Sequence, residues 1–267
     1  MGTTLSNPPV FHTLVQININ EIPNFKDAIE LIHQELYRLG YIDKKAEEIQ
    51  EYQLNMHMIE AKVKKMTSMH FINFEQNASF VINPNFLVFH TTNYLGFDDF
   101  IKNLLLGLKA INKHLESIVI ERLGLRYLDA VVVQNEKEID QYLSKGLLSV
   151  QDKLGLGEGF KIQHAMNEKI IVNQSLKESF VSRVASAYLE NSNPLLPQEL
   201  VRLIQNLKIK KELTDITGLM TLIDLDASKT ELRLKATETE ELRAILEKLH
   251  DNLSSVFESL VKVEVFK

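Results

Sequence analysis

The stretch Ile120 to Asp129, "IERLGLRYLD", places two arginines around a glycine, and their spacing limits what they can do. In a strand, alternate side chains share a face, so Arg122, Gly124 and Arg126 point one way with Ile120 and Leu128, while Leu123, Leu125 and Tyr127 point the other. Two guanidinium groups on one face can bind a ligand's negative charge or serve as ion-paired parts of the scaffold. Four strand residues put them roughly 13 Å apart, too far to grip one carboxylate or phosphate together. They suit two partners or one extended one. A second charged pair occurs in "LIDLDA", where Asp224 and Asp226 share a strand face with Met220 and Leu222, leaving Ile223 and Leu225 on the other. Two such carboxylates can hold Mg²⁺ with the help of a phosphate. They can equally be counter-ions, with Arg122 or Arg126 bridging to Asp224 or Asp226. Removing one member of such a buried pair costs roughly 3–5 kcal/mol. Arg122, Arg126, Asp224 and Asp226 are therefore the candidate ligand-binding residues, and a scaffold role is expected for at least one of the arginines.

Other motifs carry less. There is no Gly-x-Ser-x-Gly, no Walker A loop and no His-Glu-x-x-His, so no catalytic residue, metal ligand set or cofactor is assigned. "GLGEG" at Gly155 to Gly159 has the glycine density of a phosphate loop, but "FKIQHAM" after it reads as strand and offers no helix N-terminus, so a hinge is the expectation. The eight histidines are scattered; His57 and His70 could meet across a hairpin, as ordinary sheet residues. "KVKK" at Lys62 to Lys65 and "KIKK" at Lys208 to Lys211 could touch phosphate backbones, with solvated surface as the default.

The elements that must position these residues follow from periodicity. Val10 to Ile19 alternates as a half-buried strand, with Phe11, Val15, Ile17 and Ile19 toward the core. Asn24 can cap a helix carrying Phe25, Ile29, Ile32, Leu36 and Leu39 before Gly40. Glu47 to Val88 reads as an antiparallel meander broken by "NPN". Asp98 or Asp99 can cap a helix through Leu115 with Phe100, Leu104, Leu108 and Ile111 on its stripe. A short helical stretch spans Lys137 to Val150. Beyond the glycines come strands near Phe160 to Val172 and Lys177 to Leu189, a helix after Pro197, the strand "GLMTLIDLDA", and a long helix from Thr239 to Leu260. Its stripe is Leu242, Ile245, Leu249, Leu253, Val256 and Leu260, expected to pack on the sheet or on a second copy. The fold class is α+β: two related halves, 1–150 and 151–267, of antiparallel sheet covered by amphipathic helices.

Hydrophobic residues make up 45% of the 267, ample for a core, and the formal net charge of -6 argues against a nucleic-acid coat or an anionic membrane surface. The absence of cysteine removes disulfides, thiolate zinc sites and cysteine nucleophiles. No run of 18 apolar residues and no basic leader is present, so a cytoplasmic protein is expected. "MGTTLS" meets the short Gly2 plus Ser6 pattern for myristoylation without a second, polybasic signal.

"NPPV" at Asn7 to Val10, the strand–"NP"–strand unit around Asn83 and Pro84, and "RLGLRY" at Arg122 to Tyr127 occur in an order that resembles a sporadically distributed family of uncharacterised prokaryotic proteins of about this length. The resemblance implies no activity or cofactor; scattered occurrence associates such genes with mobile or defence loci. Three functions follow as expectations: a binding or regulatory module with a protein partner or a second copy, an enzyme or sensor for a phosphorylated small molecule using Arg122/Arg126 and Asp224/Asp226, and a nucleic-acid-associated defence component.

Overall fold

The computed structural model describes residues 8–55, 60–115, 118–133, 139–144 and 163–266, the side chains at 49–65 and 140 aside. The chain runs β1 (Val10–Ile19), α1 (Phe25–Arg38), β2 (Asp43–Asn55), β3 (Glu60–Ile72), β4 (Ala78–Asn83), β5 (Phe86–Thr91), α2 (Phe97–Asn112), β6 (Val119–Val133), α3 (Ile139–Tyr142), β7 (His164–Asn173), β8 (Glu178–Ser192), α4 (Gln198–Ile204), β9 (Ile216–Lys229), β10 (Leu234–Lys235) and α5 (Thr239–Leu260). The strands form one sheet in the order β2-β3-β4-β5-β1-β6-β9-β8-β7, with β10 added beside β6. Every pairing among the described residues is antiparallel. The fold is α+β, as the alternation and the amphipathic stripes require.

The two halves repeat one plan. In each, the first strand is followed by a helix and a meander whose last strand returns to pair with the first, and a covering helix follows. β5 returns to β1 through Thr13↔Thr91 to Asn18↔Phe86, and β9 returns to β6 through Leu123↔Lys229 to Val133↔Leu219. β1 and β6 then pair with each other, which makes the sheet continuous from one half to the other. The glycine-rich joint at Gly155 to Gly159 lies outside the described residues, as do His57 and the side chains of Lys62 to Lys65.

One face of the sheet is covered by α1, α2 and α5. Ile29, Ile32 and Leu36, then Phe100, Leu104, Leu108 and Ile111, then Leu242, Leu246, Leu249, Leu253 and Leu260 pack onto Val15, Ile17, Phe89, Leu123, Leu125, Ile223 and Leu225. Burial of each such side chain is worth about 1.5–3 kcal/mol. Ile245 and Val256 border this core, so the α5 stripe is used within the chain. Apolar surface is left open instead on edge strand β7, at Met166, Ile170, Ile171 and Val172. No helix among the described residues is long and apolar enough to cross a membrane.

The second face carries a smaller cluster, in which Leu200, Ile204 and Leu213 from α4 and the loop after it cover Phe11, Leu14, Val81, Val88, Leu128, Met220 and Leu222. Phe11 belongs here, opposite to the face that alternation along β1 implies. The register slips between Val10 and His12, and this bulge inserts one residue that reverses the parity. The helix starts differ as well. Asn24 takes a left-handed conformation (φ 51°) and opens α1 with no side-chain cap, while Gly96 stands at the start of α2. Asp98 and Asp99 then fall in the first turn of α2, where they meet the positive end of its dipole. Leu39 is largely exposed because α1 ends one residue earlier.

Gly107 marks the closest approach of α2 to the sheet: a Cβ there would stand 1.9 Å from Cζ of Phe80. Phe80 cannot swing aside easily, being wedged at 4.9 Å against Tyr41 and stacked at 4.7 Å on Phe89. Gly107→Ala should therefore destabilise by about 1–3 kcal/mol despite the roughly 1 kcal/mol that alanine usually gains in a helix. Urea denaturation of Gly107→Ala, with Phe80→Leu added to restore space, checks this; a stabilised single variant refutes the packing.

Candidate functional site

Alternation along β6 and β9 puts all four charged candidates on the second face. Leu123 and Leu125 are fully buried on the helix-covered face, and Arg122 and Arg126 lie opposite them. The register brings Arg126 beside Asp226 and Leu128 beside Asp224, with Gln16 next to Gly124 on the neighbouring strand β1. The four do not act as one group.

Arg126 and Asp224 form a closed pair. The guanidinium donates from Nε to Oδ1 and from one terminal nitrogen to Oδ2 of Asp224, both at 2.7 Å, and the same nitrogen reaches Glu199 Oε1 of α4 at 2.9 Å. Arg126 is 7% exposed and Asp224 1%. Burial works against the Arg126 charge, but the hydrogen bonds and field of Asp224, then of Glu199, reverse this and hold its pKa above the ordinary arginine value. Arg183 of β8 adds a longer bond to Asp224 at 3.3 Å and is itself paired with Glu168 of β7. One carboxylate thus ties β6, β9, β8 and, through Glu199, α4 together. With Asp224 already accepting from two arginines, the aspartates do not form a free pair for Mg²⁺.

Arg122 and Asp226 are placed otherwise. With the already paired Arg126, they line a cleft of about 620 Å³ whose apolar wall includes Leu14, Val88, Phe86, Leu200 and Leu203, and whose polar groups also include Gln16, Glu47, His70, Glu199 and Arg202. Arg122 is half-buried, and its side chain makes no hydrogen bond or ion pair with another described residue. Its guanidinium lies over Gly124, where an added Cβ would stand 3.3 Å from the nearer terminal nitrogen. Glycine leaves a depression in the strand floor for the arginine. Burial raises the Asp226 pKa, and the positive fields of Arg126 and Arg122 offset only part of that rise. At the far wall His70 Nε2 stands 3.1 Å from Glu47, which Arg202 of α4 approaches at 3.6 Å.

Several polar groups near this face have no local sequence signal. His12 and His90, on adjacent strands, approach at 3.2 Å between Nε2 and Nδ1, and the outer nitrogen of each has no partner. Burial, then the Arg126 charge, lowers the His12 pKa to about 3; burial lowers His90 well below the ordinary histidine range. Glu199 is also unmarked, since nothing in a seven-residue helix signals an arginine 73 positions earlier. The "KIKK" run proves to be a strap across the sheet end: Lys208 bonds Gln76 and Thr92 through its backbone, and Lys210 Nζ donates to the Val10 carbonyl at 2.9 Å.

Comparison with protein-family models, with curated proteins and with solved structures yields no significant match.

Proposed function

We propose that the protein is a binding module whose cleft on the second sheet face takes a small anionic molecule, phosphorylated or carboxylated, through Arg122. The observation that carries this reading is the contrast between the two arginines of one strand face. Arg126 has its carboxylates built in, whereas Arg122 is held at the edge of a cleft over a glycine, near Asp226 but in no ion pair or side-chain hydrogen bond with a described residue. A half-enclosed guanidinium without a partner costs desolvation energy that a ligand anion would recover, and stability given up at a site is a common mark of binding function. Asp226 beside it can accept a hydrogen bond from a hydroxyl or amine near the ligand's anionic group. The apolar wall of Leu14, Phe86, Val88, Leu200 and Leu203 suits an apolar body.

Thermal melts with and without inorganic phosphate and sulfate test the proposal. Arg122→Met is expected to melt within a few degrees of the parent and to lose the anion-induced rise. Gly124→Val, which crowds the guanidinium but suits a strand, should weaken the same rise while the fold persists. An Arg122→Met variant that keeps the phosphate response, or that unfolds as readily as Arg126→Met, overturns the reading.

A further inference from the structure

We propose that a second pocket, on the helix-covered face between β6, the N-terminal turn of α2 and α5, binds an organic cation bearing a primary ammonium group, with Asp129 as its counter-ion. The pocket has a volume of about 990 Å³ and brings together the "PPV" and "RYLD" segments, since Pro8, Pro9, Tyr127 and Asp129 all line it. It is separate from the arginine cleft, which opens on the other side of the sheet.

Asp129 is 5% exposed and lines this pocket, and its side chain makes no hydrogen bond or ion pair with another described residue. A carboxyl buried to that degree is normally paired. Lys210, whose charge acts on Asp129, donates to the Val10 carbonyl, and the aromatic groups beside Asp129 in the pocket are engaged among themselves. Tyr127 lies 3.0 Å through its hydroxyl from Nδ1 of His250 and is hydrogen-bonded to Tyr94. His250 stacks on Phe97 at 4.2 Å with the rings nearly parallel. The walls are thus aromatic, which favours a cation over their faces. The mouth adds Asp98, Asp99, Glu247, Asp251 and Glu258 against one arginine, Arg243, which is bonded to Asp98 and Glu247. An acidic entrance, aromatic walls and a buried carboxyl at the inner end together select a protonated amine and disfavour an anion.

The protonation of Asp129 couples to this binding. Burial raises its pKa to about 8; Lys210 lowers it in part and Asp224, across the sheet, raises it further. Of the other titratable groups lining the pocket, those of the inner wall, Tyr94, Tyr127 and His250, are shifted toward their neutral forms mainly by burial, while the charged groups stand at the mouth. At pH 7 Asp129 is therefore mainly a carboxylic acid, and an entering ammonium displaces its proton to solvent.

Calorimetric titration of the full chain with benzylamine, with benzyl alcohol as the uncharged control and with N-acetyl-lysine methylamide as a lysine side chain, tests the proposal. Benzylamine or the lysine derivative should bind at least tenfold more tightly than benzyl alcohol. Binding should release close to one proton at pH 7, read from two buffers of different ionisation enthalpy, and should tighten as pH rises toward 8. The stronger of the two amines identifies the source as a small molecule or a protein lysine. Asp129→Asn, which keeps the shape, should fold and lose the preference for amines, while Arg122→Met should leave it unchanged. Equal binding of amine and alcohol, no binding of either amine, or amine binding retained in Asp129→Asn refutes the site.

Discussion

Replacing Arg126 with methionine is expected to destabilise the protein by about 3–5 kcal/mol, whereas the same substitution at Arg122, four residues along the same face, should change stability by no more than about 0.5 kcal/mol. Methionine keeps much of the volume, so the difference isolates charge. Without Arg126, Asp224 remains at 1% exposure with only the longer bond from Arg183, and Glu199 loses its partner on the sheet. An abandoned buried carboxylate accounts for most of such a cost, because the pair itself largely balances desolvation against attraction. The double variant Arg126→Met with Asp224→Leu should consequently recover a large part of the loss, since no uncompensated charge is left in the sheet. Urea denaturation of the three single and double variants reads the result. A mild Arg126→Met, or a double variant worse than the sum of its singles, would show that this pair is not a scaffold element and would undermine the division of labour between the two arginines.

That division was only half legible from the amino-acid sequence. Period-two alternation puts Arg122 with Arg126, and Asp224 with Asp226, on one face of each strand, because side-chain parity is local and "RLGLRY" and "LIDLDA" contain no bulge; that the two faces coincide follows from the pairing of β6 with β9. The bounds of β1 and α5 are readable from the apolar patterns of Val10 to Ile19 and Thr239 to Leu260, although the bulge after Val10 breaks the parity of β1 and moves Phe11 to the other face. Parity says nothing about what covers a face. Whether an arginine is sealed or open depends on where α4 lands, and Glu199 on α4 reaches Arg126 and leaves Arg122 without a carboxylate partner. The buried groups that matter most depend on strand order. His12 meets His90 only because β5 returns to lie beside β1, 78 residues later in the chain. Asp129 seemed no more than the polar end of an alternating strand until α2 and α5 enclosed it.

The second large effect concerns that histidine pair and acid. His12 is fully buried, with a pKa lowered to about 3, and His90 is lowered well below its ordinary value, so the folded state favours neutral imidazole at both. Folded values below the unfolded ones mean that the stability tied to these groups is fully present above about pH 6.5 and is lost as pH falls through the window beneath it. Between pH 6.5 and 4.5 His12 alone should remove roughly 2–3 kcal/mol, at about 1.36 kcal/mol per unit, and His90 acts in the same direction. Asp129 acts in the opposite sense, because a carboxyl raised to about 8 gains stability for the fold as pH falls from 8 toward 3.8. Glu30, Glu35, Glu178 and Glu199, all lowered, begin to weaken the fold only below their unfolded value of 4.5. His70 and His250, also lowered, add to the histidine side of the balance. A wild-type pH profile would mix these terms, so the pair is isolated by difference. In His12→Leu with His90→Met both ring partners are replaced by apolar groups, which leaves no orphaned nitrogen and should be near neutral at pH 7. At pH 4.5 the same variant should exceed the parent by at least about 2 kcal/mol in urea denaturation, the share expected from His12 alone. An advantage that does not grow between the two pH values would mean that the imidazoles reach water or share a proton in the folded state, and the burial of His12 and His90 as neutral rings would be refuted with it.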